Sequence, residues 1–270
     1  MKKLNIIILL LVVLGYANIQ AQSNDEGYQP NAGTVALGAS ANISNIFINL
    51  APGSDPIAPT LCAKYYVLDK MAVRASFGVN TTNKLDKINV RDDAAFVSDP
   101  LSNTELFDTK KTINSNLNSS LALQQFFGES KLRGFVGVQA LINSQSGSIT
   151  NSYANTMNAI NPSPTTMNGS NSTRELEHKY ATTNSYGGGL IAGFEYFVLP
   201  HLSIGGEVSL NAIYSITGQE TTKSETIVND QATTIDKVVS SGGTAFNVQT
   251  LGYAHKDMAN QIGVYIMYNF

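Results

Sequence analysis

The sequence predicts an all-β fold, an eight-stranded antiparallel up-and-down transmembrane β-barrel, on three observations. Apolar residues come in alternation rather than in long runs, the connections between alternating segments are short and long by turns, and the last segment alternates up to the aromatic Phe270. Side chains in a strand point alternately to opposite faces, so a segment that is apolar at every second position offers one face to lipid and one to an interior. Closing such strands into a ring leaves no unpaired backbone in hydrocarbon.

The first residues read as an export signal. Met1-Lys2-Lys3 is basic, Ile6 to Leu14 is apolar, and Ala17 to Ala21 supplies small residues for cleavage before Gln22. The run is shorter than the ~20 residues of a spanning helix. No Cys follows it, so a lipid anchor is not expected. The expected organisation is a signal peptide at 1–21, a short periplasmic segment at 22–32, and a barrel with four long extracellular loops at 33–270. Charged residues make up 14% of the chain, against about 25% in soluble domains. A net charge of −3 without a basic stripe gives no reason to expect a nucleic-acid partner. Cys62 is the single cysteine and can form no internal disulfide.

Taken in order, the first strand sets Val35, Leu37 and Ala39 against Ala36, Gly38 and Ser40. The second alternates Leu61, Ala63, Tyr65 and Val67 with Cys62, Lys64 and Tyr66, and Leu68-Asp69-Lys70 turns the chain. The third places Met71, Val73, Ala75, Phe77 and Val79 opposite Arg74, Ser76, Gly78 and Asn80. In the fourth, Leu117, Leu121, Leu123 and Phe127 share a parity that Ser119 and Gln125 interrupt, which predicts a bulge. After a turn at Gly128 to Lys131, the fifth carries Leu132, Val136, Val138, Ala140 and Ile142 outward and Arg133, Phe135, Gly137 and Gln139 inward. The sixth places Tyr186, Leu190, Ala192, Phe194 and Tyr196 outward, with Gly187, Gly189, Gly193 and Glu195 inward. Beyond the turn at Val198 to His201, the seventh sets Leu202, Ile204, Val208, Leu210, Ala212 and Tyr214 against Ser203, Gly205, Glu207, Ser209 and Asn211. The eighth alternates Ile262, Val264, Ile266, Tyr268 and Phe270 with Gln261, Gly263, Tyr265, Met267 and Asn269.

Three short connections alternate with four long polar ones, near 41–57, 81–112, 144–178 and 218–257. Short turns belong on the periplasmic side of such barrels and long loops outside, so both termini are expected in the periplasm. The polar ends Lys111 to Asn116 and Glu177 to Asn184 are candidates for strand extensions above the membrane. Tyr65, Phe127, Tyr196, Tyr268 and Phe270 fall near one interface, and Phe77, Tyr186 and Tyr214 near the other, where amphipathic rings collect.

This pattern resembles the small outer-membrane β-barrels of the OmpA/OmpX type, over nearly all of residues 28–270. The most specific element is Gln261-x-Gly263-x-x-Ile266-x-Tyr268-x-Phe270, which resembles the signal read by the barrel-assembly machinery. The resemblance implies that machinery as a partner during biogenesis and contact with outer-membrane lipid and lipopolysaccharide; outward small residues such as Gly188 and Gly206 either let another outer-membrane protein pack closely or relieve crowding in a curved sheet. No peptidoglycan-binding domain follows Phe270, so a cell-wall tether is not expected.

An eight-stranded barrel is only wide enough for side chains to fill. Its inward parity here carries Lys64, Arg74, Arg133, Glu195 and Glu207, a lumen charge cluster whose first reading is a plug of ion pairs and whose second is a gated path for small solutes. His201-Leu202-Ser203 resembles the His-x-Ser spacing of lipid A deacylases, but the expected topology puts His201 in a periplasmic turn and points Ser203 inward. No catalytic residue is therefore assigned. His178 and His255 lie in loops without an acid and nucleophile beside them. Asp86, Asp92 and Asp93 lack the Gly and distal Glu of a calcium loop, so no metal and no cofactor is expected. The expected function is that of a non-enzymatic structural or interaction protein; a narrow pore is the alternative, and a lipid A-modifying enzyme the third.

Overall fold

The computed structural model describes residues 30–42, 60–128, 131–249 and 262–270. In chain order these form β1 (Val35–Asn42), β2 (Thr60–Leu68), β3 (Met71–Arg91), the single-turn α1 (Asp93–Ser98), β4 (Glu105–Phe127), β5 (Leu132–Ser152), β6 (Thr165–Thr166), β7 (Gly169–Ser170), β8 (Thr173–Leu199), β9 (Leu202–Thr217), β10 (Glu220–Val228), β11 (Gln231–Ser240), β12 (Gly243–Gln249) and β13 (Ile262–Asn269).

Eight of these strands close a ring. Every neighbour pairs antiparallel in the order β1-β2-β3-β4-β5-β8-β9-β13, and β13 returns to β1. One register row shows how the outside is built: Leu61, Phe77, Ser119, Ile142, Tyr186, Tyr214 and Phe246 follow one another across six pairings. Apart from Ser119 these are apolar or aromatic outward side chains, about half exposed. The opposite parity is buried, and Ala36, Tyr66, Ala72, Ala122, Phe126, Phe135, Ile191, Tyr265 and Met267 fill the interior. The apolar surface is on the outside and the charged residues are within, the inverse of a soluble domain and the arrangement lipid demands.

The turns at one end are tight. Asp69 and Lys70 join β2 to β3, and Pro200 and His201 join β8 to β9. Residues 129–130 of the turn expected at 128–131 lie outside the described residues, as do the expected signal peptide, His255 and Gln261.

Two expectations are corrected. β4 carries no bulge: its register against β3 and β5 runs without a shift, and Ser119 and Gln125 simply stand on the outer face. Within the ring the irregularities lie elsewhere, at Tyr66/Leu68, Phe197/Leu199 and Gln145/Gly147. Three of the four expected long loops are largely strand. β3 and β4 stay paired out to Arg91↔Glu105, and β5 and β8 to Thr150↔Glu177. A membrane strand needs only about 9–11 residues, so strands of 21 to 27 residues rise far beyond the apolar belt. The segment at 218–257 contains the β10–β11 hairpin, which pairs with the upper part of β8. Its two-residue turn is Asn229-Asp230, both at positive φ (50° and 61°), the backbone that a tight hairpin requires and that these two residue types tolerate.

Above the belt the described loops are knitted together by buried polar groups. Asp92 caps α1 by accepting from the Ala95 amide at 3.0 Å. Asp93 accepts from the Thr165 amide at 2.7 Å, the Asn161 side chain at 3.0 Å and Arg91 at 3.2 Å. Asp108, fully buried, accepts from the Ala154 and Met167 amides, each at 2.9 Å. Arg174 ties the β5–β8 connection to the β10 hairpin through the Asn155 carbonyl and Glu225.

Candidate functional site in the barrel lumen

All five inward charges predicted from parity converge in the lumen. Lys64 on β2 and Arg74 on β3 are direct register partners, as are Arg133 on β5 and Glu195 on β8. Like charges set opposite each other on neighbouring strands repel, and the fold answers this across the barrel. In ring order β2 and β8 are separated by three strands in either direction, and so are β3 and β9. Lys64 Nζ reaches Glu195 Oε1 at 3.1 Å across that span, and Arg74 meets Glu207 through its two terminal guanidinium nitrogens, Nη2 to Oε1 at 2.9 Å. Two ion pairs therefore bridge opposite walls.

Each carboxylate faces a glycine in register. Glu195 is paired with Gly205 and Glu207 with Gly193. A Cβ on Gly205 would lie 2.2 Å from the Tyr265 ring, and one on Gly193 would lie 2.6 Å from the Phe135 ring. These glycines make room for inward aromatics.

Glu195 is the hub. It also accepts from Arg133 Nη2 at 2.6 Å and Nε at 3.1 Å and from the Ser203 hydroxyl at 2.8 Å. Lys64, Arg133, Glu195 and Ser203 are essentially inaccessible to solvent. Towards the tight-turn end, aromatic rings form a floor beneath the charges. The Arg133 guanidinium lies 4.0 Å from the Phe126 ring centroid and 4.9 Å from that of Phe197, and it donates to the Tyr66 hydroxyl. Lys64 Nζ sits 5.1 Å from Phe126 and 5.2 Å from Tyr265, distances at which a ring face attracts a cation. One step towards the other end, Cys62 contacts Ser40 and Ser76.

Parity reasoning missed the roles of Tyr66, Phe126, Phe197, Tyr265, Gln124 and Ser203. The available signal was an inward aromatic facing an inward glycine, as at Phe135 and Gly193.

The other candidates are dispersed. The Ser203 hydroxyl is given to Glu195, while His201 Nδ1 donates to the Asn269 carbonyl at 3.1 Å. His178 contacts Glu220 at 2.6 Å. Asp86 pairs with Lys84, Asp92 caps α1, and Asp93 binds the neighbouring loop. Burial pushes the Asp93 carboxyl up, but the hydrogen bonds from Thr165, Asn161 and Arg91 outweigh it and hold it below the usual carboxylate range. In the terminal segment, Gly263 faces Glu207 in register, and Ile266 points outward between Ala39 and Ile204. Tyr268 packs edge-on against Phe270, with ring centroids 5.0 Å apart.

A closed eight-stranded ring, apolar outside and ion-paired within, defines a transmembrane β-barrel protein. The chain belongs to the putative OmpA-OmpF-like porin family, whose model matches residues 60–235, and it is accordingly an outer-membrane protein. Among solved structures it is similar to a major outer membrane protein from Thermus thermophilus, at 12% identity over 88% of this chain and 98% of that chain, with a TM-score of 0.37. It is also similar to the outer membrane protein OprG from Pseudomonas aeruginosa (12% identity, 91% and 99% coverage, TM-score 0.35) and to the N-terminal β-barrel domain of OprF from the same organism (11%, 89% and 100%, TM-score 0.27). No curated protein matches.

Proposed function

We propose that this chain is a non-enzymatic structural and interaction protein of the outer membrane, with a plugged lumen, tight turns and both termini in the periplasm, and a knitted polar head outside. The observation that carries this reading is the pair of ion bridges across the barrel, Lys64–Glu195 and Arg74–Glu207, above an aromatic floor. A small barrel filled this way offers no continuous water path. The belt meets lipid and lipopolysaccharide, and the head, held by Asp93, Asp108 and Arg174, is the surface for a second envelope component. The commitment of the Ser203 hydroxyl to Glu195 supports a role without catalysis.

A narrow pore is the second reading, favoured by the family's porin description and by Glu207, whose side chain keeps 20% of its exposure. Planar-bilayer recording of the full chain separates the two. The structural reading predicts silence; a steady conductance that changes on neutralising Arg74 or Glu207 would establish the pore instead. Co-purification in mild detergent then tests the interaction role, with a stoichiometric companion expected and a bare monomer counting against it.

A further inference from the structure

We propose that the lumen holds a small inorganic anion, of the chemical class of chloride, at Arg133 and Gln124. Among the described residues the cluster has three cations, Lys64, Arg74 and Arg133, for two carboxylates. Arg74 and Glu207 match one another, so the excess positive charge lies where Lys64 and Arg133 share Glu195. A buried uncompensated charge is among the most costly features a protein interior can carry, and ring faces offset only part of it.

Of the three buried donors that meet no acceptor among the described residues, Arg74 Nε belongs to the Glu207 pair and the other two to the Arg133 side of the lumen. Arg133 Nη1 and Gln124 Nε2 are buried and meet no acceptor among the described residues. Gln124 is itself fully buried and occupies the inward position next to Phe126 along β4, the ring that the Arg133 guanidinium covers at 4.0 Å. Its register neighbours are Ala72 and Gly137, neither of which carries a side-chain hydrogen-bond partner for the amide. A water molecule can accept from such donors, but it leaves the charge unbalanced. A monovalent anion does both, and an accompanying water can donate to Gln124 Oε1, which likewise has no partner among the described residues.

The test uses the full chain folded in detergent and crystallised with bromide replacing chloride. The expected result is an anomalous bromide peak within hydrogen-bonding distance of Arg133 Nη1, lost in Lys64→Met, where Arg133 and Glu195 balance alone. An ordered water without anomalous signal at that position would overturn the proposal, as would a peak undiminished in folded Lys64→Met. Should that variant not fold, the unaltered chain decides. Its melting temperature should rise with chloride at constant ionic strength, gluconate balancing, because a ligand that binds only the folded state stabilises it. A melting temperature indifferent to chloride would refute the site.

Discussion

Glu195→Gln is the perturbation that bears hardest on the lumen. The carboxylate takes Lys64 at 3.1 Å, Arg133 at 2.6 Å and Ser203 at 2.8 Å, and its side chain is fully buried. Glutamine preserves the shape and one acceptor but removes the charge, leaving two buried cations without their shared carboxylate. Breaking one partner of a buried pair costs about 3–5 kcal/mol. With two dependent cations the upper end is expected. Equilibrium urea unfolding of the full chain in detergent micelles measures it. Lys64→Met should cost less, because Arg133 remains to neutralise Glu195. The two changes together should fall short of the sum of the single effects by about 1–3 kcal/mol, as expected for contacting groups. A Glu195→Gln loss below about 1 kcal/mol, or strict additivity with Lys64→Met, would refute the hub.

Three further outcomes follow from the same geometry. Gly205→Ala drives a methyl to within 2.2 Å of the Tyr265 ring and should cost about 1–3 kcal/mol by overpacking, whereas Gly188→Ala, whose Cβ meets nothing nearer than 3.4 Å, should fall within about 0.5 kcal/mol; both are read by urea unfolding. Leu190→Arg in the belt and Val239→Arg on β11 alter residues of similar exposure, 59% and 53%, yet only the first faces lipid; it should lose about 2–4 kcal/mol in liposomes and the second almost nothing. Asp93, whose folded pKa is depressed, contributes stability that is fully present above the unfolded carboxylate pKa of about 3.9 and is lost as pH falls below it through the folded value. The protection factor of the Thr165 amide, its exchange rate relative to the free-peptide rate at the same pH, should therefore be high at neutral pH and fall in acid, and Asp93→Asn should remove that pH dependence.

The barrel was legible because membrane and lumen impose a two-residue period, and Leu132 to Ile142 or Leu202 to Tyr214 display it, whereas Ser119 and Gln125 blurred it in the fourth strand. Above the belt that signal fades. Both faces of β3 beyond Asn80 and of β8 before Tyr186 meet water or polar loops, so residues such as Thr81, Asn83 and Thr182 carry no period that separates strand from loop. The β10–β11 hairpin was hidden for the same reason, with Asn229-Asp230 as its one local cue. Parity identified the five lumen charges but not their partners. Lys64 pairs with Glu195 across the ring while its register neighbour is Arg74, and only the closed barrel brings those walls together. Ser203 shows the limit in reverse: its spacing from His201 suggested chemistry, and its hydroxyl supports a carboxylate.

The filled lumen is tested most directly by the chain's own cysteine. Cys62 faces inward one step from the Lys64–Glu195 bridge, 4% exposed and in contact with Ser40 and Ser76. A small membrane-impermeant thiol reagent applied to either side of reconstituted barrels should leave Cys62 unmodified until urea unfolds the chain. Labelling of the folded barrel at the rate of the unfolded chain would mean a water-filled passage, and would contradict the plug.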